Sequence, residues 1–277
     1  MTINAETKII GRFHTKKSPR GLNIYNPFFQ EAGINAIYIL FSNLDPKPLV
    51  DGLRNLNLFG AITAGFESNL VLPTLLDELE DNAKYVGKVG FVTNNNGILK
   101  GYSQGGKGLL NAILSKTDLS EKQVAIIGAG TVAKSLIYQL SHLSSPPREI
   151  LIFNRTIDRA QDIVKGLNIK SSARHLDQLS NTKGDILVNA TDLGGSEVDN
   201  LFTQDIVNNF QTIVDVTFQV ENTNLINLAK KLSKNHVTGW DFFTHQAGVI
   251  LETMFATPID LNLLNKHVKQ GLSQEVV

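Results

Sequence analysis

The stretch QVAIIGAGTVAKSLIYQL (123–140) runs from a continuous apolar segment through two glycines into a segment with helical spacing. Val124 to Ile127 read as a buried strand, and Thr131 onward reads as the helix behind it. Between them, Gly128-Ala129-Gly130-Thr131-Val132-Ala133 fits the pattern GxGxxA. Gly128 permits the tight turn, Gly130 lets a pyrophosphate approach the backbone, and Ala133 allows close packing of helix on strand. The helix start then offers free N–H groups to phosphate. A lone glycine pattern also occurs in ordinary strand–helix turns, and here the strand on one side and the helix on the other decide for a dinucleotide site. Three further apolar runs follow: EILIFNRT (149–156), GDILVNAT (184–191) and QTIVDVTF (211–218). Helical segments at 157–167 and 222–234 lie between them. Strands alternating with helices imply a doubly wound parallel sheet of the Rossmann type with right-handed crossovers.

The second strand of that unit ends in Phe153-Asn154-Arg155-Thr156. An acid at this point binds the ribose 2′-hydroxyl of NAD, whereas an arginine accommodates the 2′-phosphate of NADP. The acid's place is taken by neutral Asn154, with Arg155 as a bidentate phosphate partner and Thr156 as a further donor. The competing reading makes Arg155 and Arg159 solvated charges at a helix start. NADP(H) is the expected cofactor.

Outward from this unit, AIYILF (36–41) and FGAIT (59–63) read as strands and PLVDGLRNLN (48–57) as a helix. LVLPTLLDELEDNAKYV (70–86) is amphipathic, and KVGFVTNNNGILKGYS (88–103) reads as two short strands around an Asn-Gly turn. A helix at 107–116 leads away, and a long helix beginning after VTGW (237–240) leads back. The fold expected is α/β, with an N-terminal α/β substrate domain, a Rossmann-type NADP domain and a cleft between them. Its boundaries are 1–104 with 240–277 returning, and 105–239.

Composition bounds the rest. The chain has 277 residues, 42% hydrophobic and 19% charged, enough for a large core and two domains. Twenty-six basic residues balance 26 acidic ones, so no global field favours nucleic acid. There are no cysteines, which removes disulfides, thiolate catalysis and cysteine-ligated zinc, and no metal site is expected. No apolar run suits a signal peptide or reaches the roughly 18 residues of a membrane span. The expectation is a cytoplasmic protein, monomer or homodimer, with a small anionic molecule as its partner.

The pattern as a whole resembles the shikimate dehydrogenase family across nearly the full length. The matching pieces are Ser18-Pro19-Arg20 with Asn23, Gly60-Ala61-Ile62-Thr63, the glycine turn, Asn154-Arg155-Thr156, Asn189-Ala190-Thr191 and Val214-Asp215-Val216. The most telling is Gly239-Trp240-Asp241-Phe242-Phe243-Thr244-His245-Gln246-Ala247, similar to the family's closing helix. The resemblance implies that Ser18, Thr63 and Gln246 bind substrate. It also implies that Ala190, Thr191, Phe218 and Gly239 lie near the nicotinamide.

Several residues depart from the family pattern. The family's Val-Thr-x-Pro-x-Lys, with its catalytic lysine, reads Ile62-Thr63-Ala64-Gly65-Phe66-Glu67. Its Val-Asn-Thr, whose asparagine binds substrate hydroxyls, reads Val89-Gly90-Phe91. Its Asp-Asn-Thr-Asp-Gly, whose second aspartate pairs with the lysine, reads Tyr102-Ser103-Gln104-Gly105-Gly106. A tyrosine is replaced by Phe218. Both members of the Lys/Asp pair are missing together, so the pocket is rebuilt or abandoned as a unit. Oxidising a secondary alcohol needs a proton acceptor worth roughly 10²–10⁴ in rate, and two glycines with a glutamate do not present the same charges.

Glu67 is the candidate replacement, as general base or amine binder, against the plainer reading of a solvent-facing loop carboxylate. Tyr102, Lys88 and Lys107 are weighed against packing and solvation. Lys16 stands at the place of the first family serine, within a run of Arg12, His14, Lys16, Lys17 and Arg20 that suits a carboxylate or phosphate ester. A hydrated basic loop is the alternative. Gly105 is expected to need a backbone conformation that an aspartate tolerates poorly. The leading reading is an NADP(H)-dependent oxidoreductase acting on a small anionic substrate other than shikimate. The alternatives are a non-catalytic NADP(H)-binding protein, or a shikimate dehydrogenase with substitute catalytic residues.

Overall fold

Six parallel strands with the spatial order 3-2-1-4-5-6 make up the second half of the chain. A computed structural model of the protein describes residues 3–14, 18–65, 70–191 and 201–274. The chain forms two compact units, one of residues 1–104 with 247–277 and one of residues 105–246.

The first unit contains strands β1 (Lys8–His14), β2 (Ala36–Ser42), β3 (Gly60–Ile62), β4 (Glu78–Leu79), β5 (Phe91–Asn95) and β6 (Ile98–Tyr102). They form one sheet in the order β2-β1-β3-β5-β6-β4. β1 runs parallel to β2 and β3, whereas β5 is antiparallel to both β3 and β6. Asn96 and Gly97 join β5 to β6 with φ of 51° and 90°, the two left-handed residues that a tight hairpin turn requires. Helices α1 (Arg20–Glu31), α2 (Pro46–Asn55) and α3 (Asp81–Val86) complete the outward half. α2 starts where Asp45 accepts a hydrogen bond from the Lys47 amide and Pro46 takes the first turn.

The amphipathic segment 70–86 is not one element. It divides into a 3-10 turn (Leu72–Leu75), the short strand β4 and helix α3. Asp77 accounts for the break, because its carboxylate accepts from the Leu99 amide at 2.7 Å and from Arg54 at 2.9 Å. Those bonds hold the chain in sheet pairing rather than in a helical turn.

The second unit holds α4 (Gly105–Leu114), β7 (Gln123–Ile127), α5 (Thr131–Ser141), β8 (Glu149–Asn154), α6 (Ile157–Val164), β9 (Ser171–His175), β10 (Ile186–Asn189), α7 (Gln204–Asn208), β11 (Thr212–Asp215), α8 (Asn224–Lys231) and β12 (Asn235–Val237). The strand order is β12-β11-β10-β7-β8-β9 with every pairing parallel. Alternate residues of the central strands serve opposite faces. Val124, Ile126, Ile150, Ile152 and Val188 pack in one core, while Ala125, Ile127, Leu151, Phe153 and Leu187 pack in the other. Burial on both faces explains why these strands read as unbroken apolar runs.

Helix α9 (Gly239–Phe255) opens with a reciprocal cap. Thr238 donates its amide and hydroxyl to Asp241 Oδ2, each at 2.9 Å, and accepts from the Asp241 amide. The change from the second compact unit to the first falls within α9, between Gln246 and Ala247. Gly108 places α4 so close to the Gln246 backbone that a methyl there would stand 2.6 Å from its Cα, which holds the first half of α9 in the second unit. A last helix, α10 (Leu261–Ser273), packs in the first unit, where Lys266 and His267 both meet Glu31 of α1.

Candidate functional site

β7 delivers the chain to Gly128 at the carboxyl edge of the parallel sheet, where ligands of such sheets bind. Gly128 has φ of 108°, in the left-handed region. A Cβ there would stand 2.8 Å from Thr191 Cγ2 and 3.0 Å from the Ala190 carbonyl. Glycine is therefore required twice, by conformation and by close approach. Its amide donates to the Phe153 carbonyl at 2.8 Å, tying the turn to the end of β8.

Gly130 plays a different part. It precedes α5 in extended conformation and brings no side-chain cap. The first intrahelical bond runs from the Lys134 amide to the Gly130 carbonyl, so the N–H groups before it are left for an outside acceptor. A Cβ on Gly130 would meet nothing within 4 Å. The open side of this glycine faces no protein atoms, which suits the passage of a phosphate chain. Ala133 is fully buried in the core shared by α5 and the sheet, so it serves packing and not contact.

A pocket of about 440 Å³ lies over this turn. Gly128, Gly130, Thr131 and Val132 form its floor, Asn154 and Arg155 one side, and Ala190 with Thr191 the other. Asn154 donates its amide to the Thr156 carbonyl at 2.8 Å, which fixes the turn after β8. Arg155 is exposed at the pocket, and Arg159 one helical turn on lines it as well. Two guanidinium groups on one wall, with no acid among the described lining residues, suit a phosphate monoester. Thr156, Phe218 and Gly239 do not line this pocket. Thr156 starts α6 without a side-chain cap bond. Phe218 packs edge-on against Phe243 at 5.7 Å, and its carbonyl accepts from Trp240 Nε1 at 3.1 Å. Gly239 lets β12 turn into α9 directly against the Thr217 carbonyl, where a Cβ would have only 1.9 Å.

Leu176 and Val216 also line the pocket; Leu176 belongs to no motif, and Val216 stands in the Val214-Asp215-Val216 match without being expected at the cofactor. Leu176 follows a polar edge strand and Val216 lies one residue past β11, so neither carries a local signal beyond being apolar.

The remaining candidates divide between the units. In the first, Ser18 is exposed and accepts from the Arg20 amide at 3.3 Å at the start of α1. Thr63 is fully buried, and its hydroxyl donates to the Val89 carbonyl at 2.8 Å, fastening the end of β3 to the segment that leads into β5. Tyr102 stacks on Phe91 at 4.7 Å. Lys16 and Glu67 lie outside the described residues. In the second unit Gln246 is half-buried beside the first turn of α4.

Gly105 does not have the backbone expected of it. Its φ is outside the left-handed region, and a Cβ would rest in ordinary contact, 3.6 Å from Gln246 Nε2 and 3.8 Å from Val132 Cγ2. The steric demand belongs to its neighbour Gly106, whose Cβ would stand 2.1 Å from the Ser135 backbone and whose amide donates to Ser135 Oγ. Gly90 is the other vacated position. There the carboxamide of buried Gln104 fills the space a side chain would take.

Comparison with known proteins agrees with this arrangement. Residues 109–218 match the family model described as shikimate / quinate 5-dehydrogenase. A shikimate dehydrogenase (NADP(+)) of Pyrococcus furiosus is 30% identical over 232 residues, covering 83% of each chain. One from Desulforamulus reducens is also 30% identical, over 97% of this chain and 98% of its own. Among solved structures, a shikimate 5-dehydrogenase-like protein superposes with a TM-score of 0.85 at 22% identity, covering 98% of this chain and 99% of the other, a likeness of fold. With the glycine turn, the arginine wall and full-length similarity in agreement, the chain belongs to the shikimate dehydrogenase family.

Proposed function

We propose that this protein is an NADP(H)-dependent oxidoreductase whose substrate is a small anion other than shikimate. The observation that carries the cofactor half is the single pocket in which the Gly128–Gly130 turn meets Arg155 and Arg159. The turn fits a pyrophosphate, since Gly130 has open space where a Cβ would stand and α5 begins uncapped. The two arginines fit a 2′-phosphate, and no acid among the described lining residues accepts from the ribose hydroxyl of NAD. Bound there, NADPH supplies a hydride equivalent. The names of the relatives from Pyrococcus and Desulforamulus, both NADP(+) enzymes, point the same way.

The substrate half rests on the missing pair. Glu67 and Gly105 stand where the family pattern has lysine and aspartate, and Gly90 where it has asparagine. An imine already protonated at nitrogen takes only hydride from NADPH, and a carbonyl takes a further proton that water can supply in place of the lost pair, so the favoured substrate is a small keto or imino acid. We divide the chain by role at 104/105 and again within α9, with substrate held by the first unit and cofactor by the second.

The test is NADPH consumption with a panel of small keto acids and imines, beside NADP⁺ reduction with shikimate. Consumption with a member of the panel and none with shikimate is the expected result. Shikimate oxidation at about 1–10³ s⁻¹, the ordinary enzyme range, would overturn the substrate half. The same loss of Lys and Asp also favours a second reading, a non-catalytic NADP(H)-binding protein, and tight NADPH binding with no consumption across the whole panel would select it.

A further inference from the structure

Asp215 is the last residue of β11 and is 1% exposed. Among the described residues no cation pairs with it; its partners are all neutral donors. Oδ1 accepts from Asn189 Nδ2 and from the Thr217 amide, both at 3.1 Å, and Oδ2 accepts from the Thr223 hydroxyl at 2.6 Å. A buried carboxylate without a counter-ion is an expensive way to join two strands, which apolar residues do at no such penalty. Burial pushes its pKa above the ordinary 3.8, while the Thr223, Thr217 and Asn189 hydrogen bonds pull the other way. With Oδ1 accepting twice and Oδ2 once, the carboxyl group is held in one orientation between β10 and the turn after β11.

One limb leads to the pocket. Asn189 is the register partner of Asp215 on β10 and is itself fully buried. With its amide held by Asp215, its oxygen is turned the other way and accepts from the Thr191 hydroxyl at 2.6 Å and the Thr191 amide at 3.3 Å. Thr191 is pocket wall, with its methyl 2.8 Å from where a Cβ on Gly128 would stand. A second limb runs through the Thr217 amide to the turn that carries Phe218. The pocket wall built by Asn154 and Arg155 uses neither limb. It belongs to β8, on the opposite side of β7 from β10.

We infer that Asp215 is a positioning residue for the dinucleotide: acting through Asn189, it fixes Thr191 beside the glycine turn, and the arginine wall is set independently of it. The inference rests on the NADP(H) reading above. Its consequence is that the two sides of one pocket are separately adjustable. Damage at Asp215 reaches the part of the ligand over β7 and β10, and leaves the phosphate-bearing adenosine end in place.

The full chain and its Asp215→Asn variant are titrated with NADPH and with 2′,5′-ADP, which carries the adenosine end alone. Asparagine keeps the shape but presents N–H₂ to one of the three donors. The expected result is a rise in NADPH Kd of about tenfold or more, as for a lost hydrogen-bonded contact, with 2′,5′-ADP unchanged within about twofold. Asn189→Ala, which cuts the same limb one step later, gives the same split. Unchanged NADPH affinity in folded Asp215→Asn, or an equal loss for both ligands, overturns the inference. If Asp215→Asn does not fold, Asn189→Ala decides alone by the same two titrations. Failure of the unmutated chain to bind either ligand is a separate result, which overturns the cofactor reading and takes this inference with it.

Discussion

A methyl group on Gly90 would stand 2.1 Å from Oε1 of Gln104. The carboxamide of Gln104 thus occupies the space that any larger residue at position 90 would claim. Gln104 is 3% exposed, and its Oε1 has no hydrogen-bond partner among the described residues. The two positions form a coupled pair: a small residue at 90 requires a long one at 104 to fill the volume. Gly90→Ala should lower stability by ~1–3 kcal/mol through overpacking, read from the urea midpoint. Adding Gln104→Ala should recover much of that loss, so the double variant is more stable than the sum of the singles predicts. Strict additivity would show that the two side chains do not compete.

The two glycines of the nucleotide turn should fail in different ways. Gly128→Ala is strained at φ 108° and crowded by Thr191. It should lose ~1–3 kcal/mol of stability together with NADPH binding. Gly130→Ala meets open space, so its stability should fall by less than ~1 kcal/mol while NADPH affinity drops about tenfold or more, about 1.4 kcal/mol. Thermal unfolding paired with NADPH titration separates the two, and equal damage in both measurements would refute the assignment of Gly130.

Cofactor choice should depend on the arginine wall. NADPH is expected to bind more tightly than NADH, and Arg155→Ala should remove most of the difference. Losing a charge-assisted phosphate contact costs roughly 1.5–3 kcal/mol, about 10- to 100-fold in affinity. Arg159→Ala should remove a smaller share. Equal affinity of the unmutated chain for both cofactors would defeat this.

Much of this site could be read before any coordinates. The strands around Gly128, Asn154 and Asn189 announce themselves because burial on both faces leaves unbroken apolar runs, and the turn needs glycine for steric reasons. Other elements gave no such signal. α1 contains Pro27 and has no side-chain cap, and β9 is a half-exposed edge strand of polar residues. α10 did carry one legible mark, since Asp260 accepts from the amides of Asn262 and Leu263, though the resemblance to a closing helix drew the reading to α9. Gln104 could not have been found at all. Its place over Gly90 depends on β5 and β6 pairing, a relation between residues fourteen apart that no local pattern encodes.

A Cβ at position 105 would meet only ordinary contacts, so Glu67→Lys with Gly105→Asp should fold and keep its NADPH affinity. Shikimate turnover should still be absent, because Gly90 also lacks the asparagine and Gln104 fills its space. Turnover within about tenfold of the typical 1–10³ s⁻¹ would mean that the pair alone was lost, and would favour the non-catalytic reading of the present chain.

Asp215 should also leave a mark on stability against pH. Its folded-state pKa is raised by burial, so its contribution is fully present below about 3.8 and is lost as pH rises through the folded value. Asp215→Asn carries no such titration. The stability advantage of the unmutated chain over the variant should therefore shrink as pH rises from about 3.8 toward 7, measured by urea unfolding at each pH. An advantage that grows over that range would show that the carboxylate is favoured, not penalised, by its surroundings.

The first unit is interrupted: residues 1–104 wait for 247–277 to complete them, and α10 supplies the lysine and histidine that meet Glu31 on α1. During synthesis at about 5–20 residues per second, the intervening residues 105–246 occupy roughly 7 to 30 s. The inserted unit is continuous and is complete when that interval ends, while the first sheet stays without its last helix until residues 247–277 have followed. The unit begun first is thus the unit completed last, and through that wait the face of α1 that meets α10 stands uncovered.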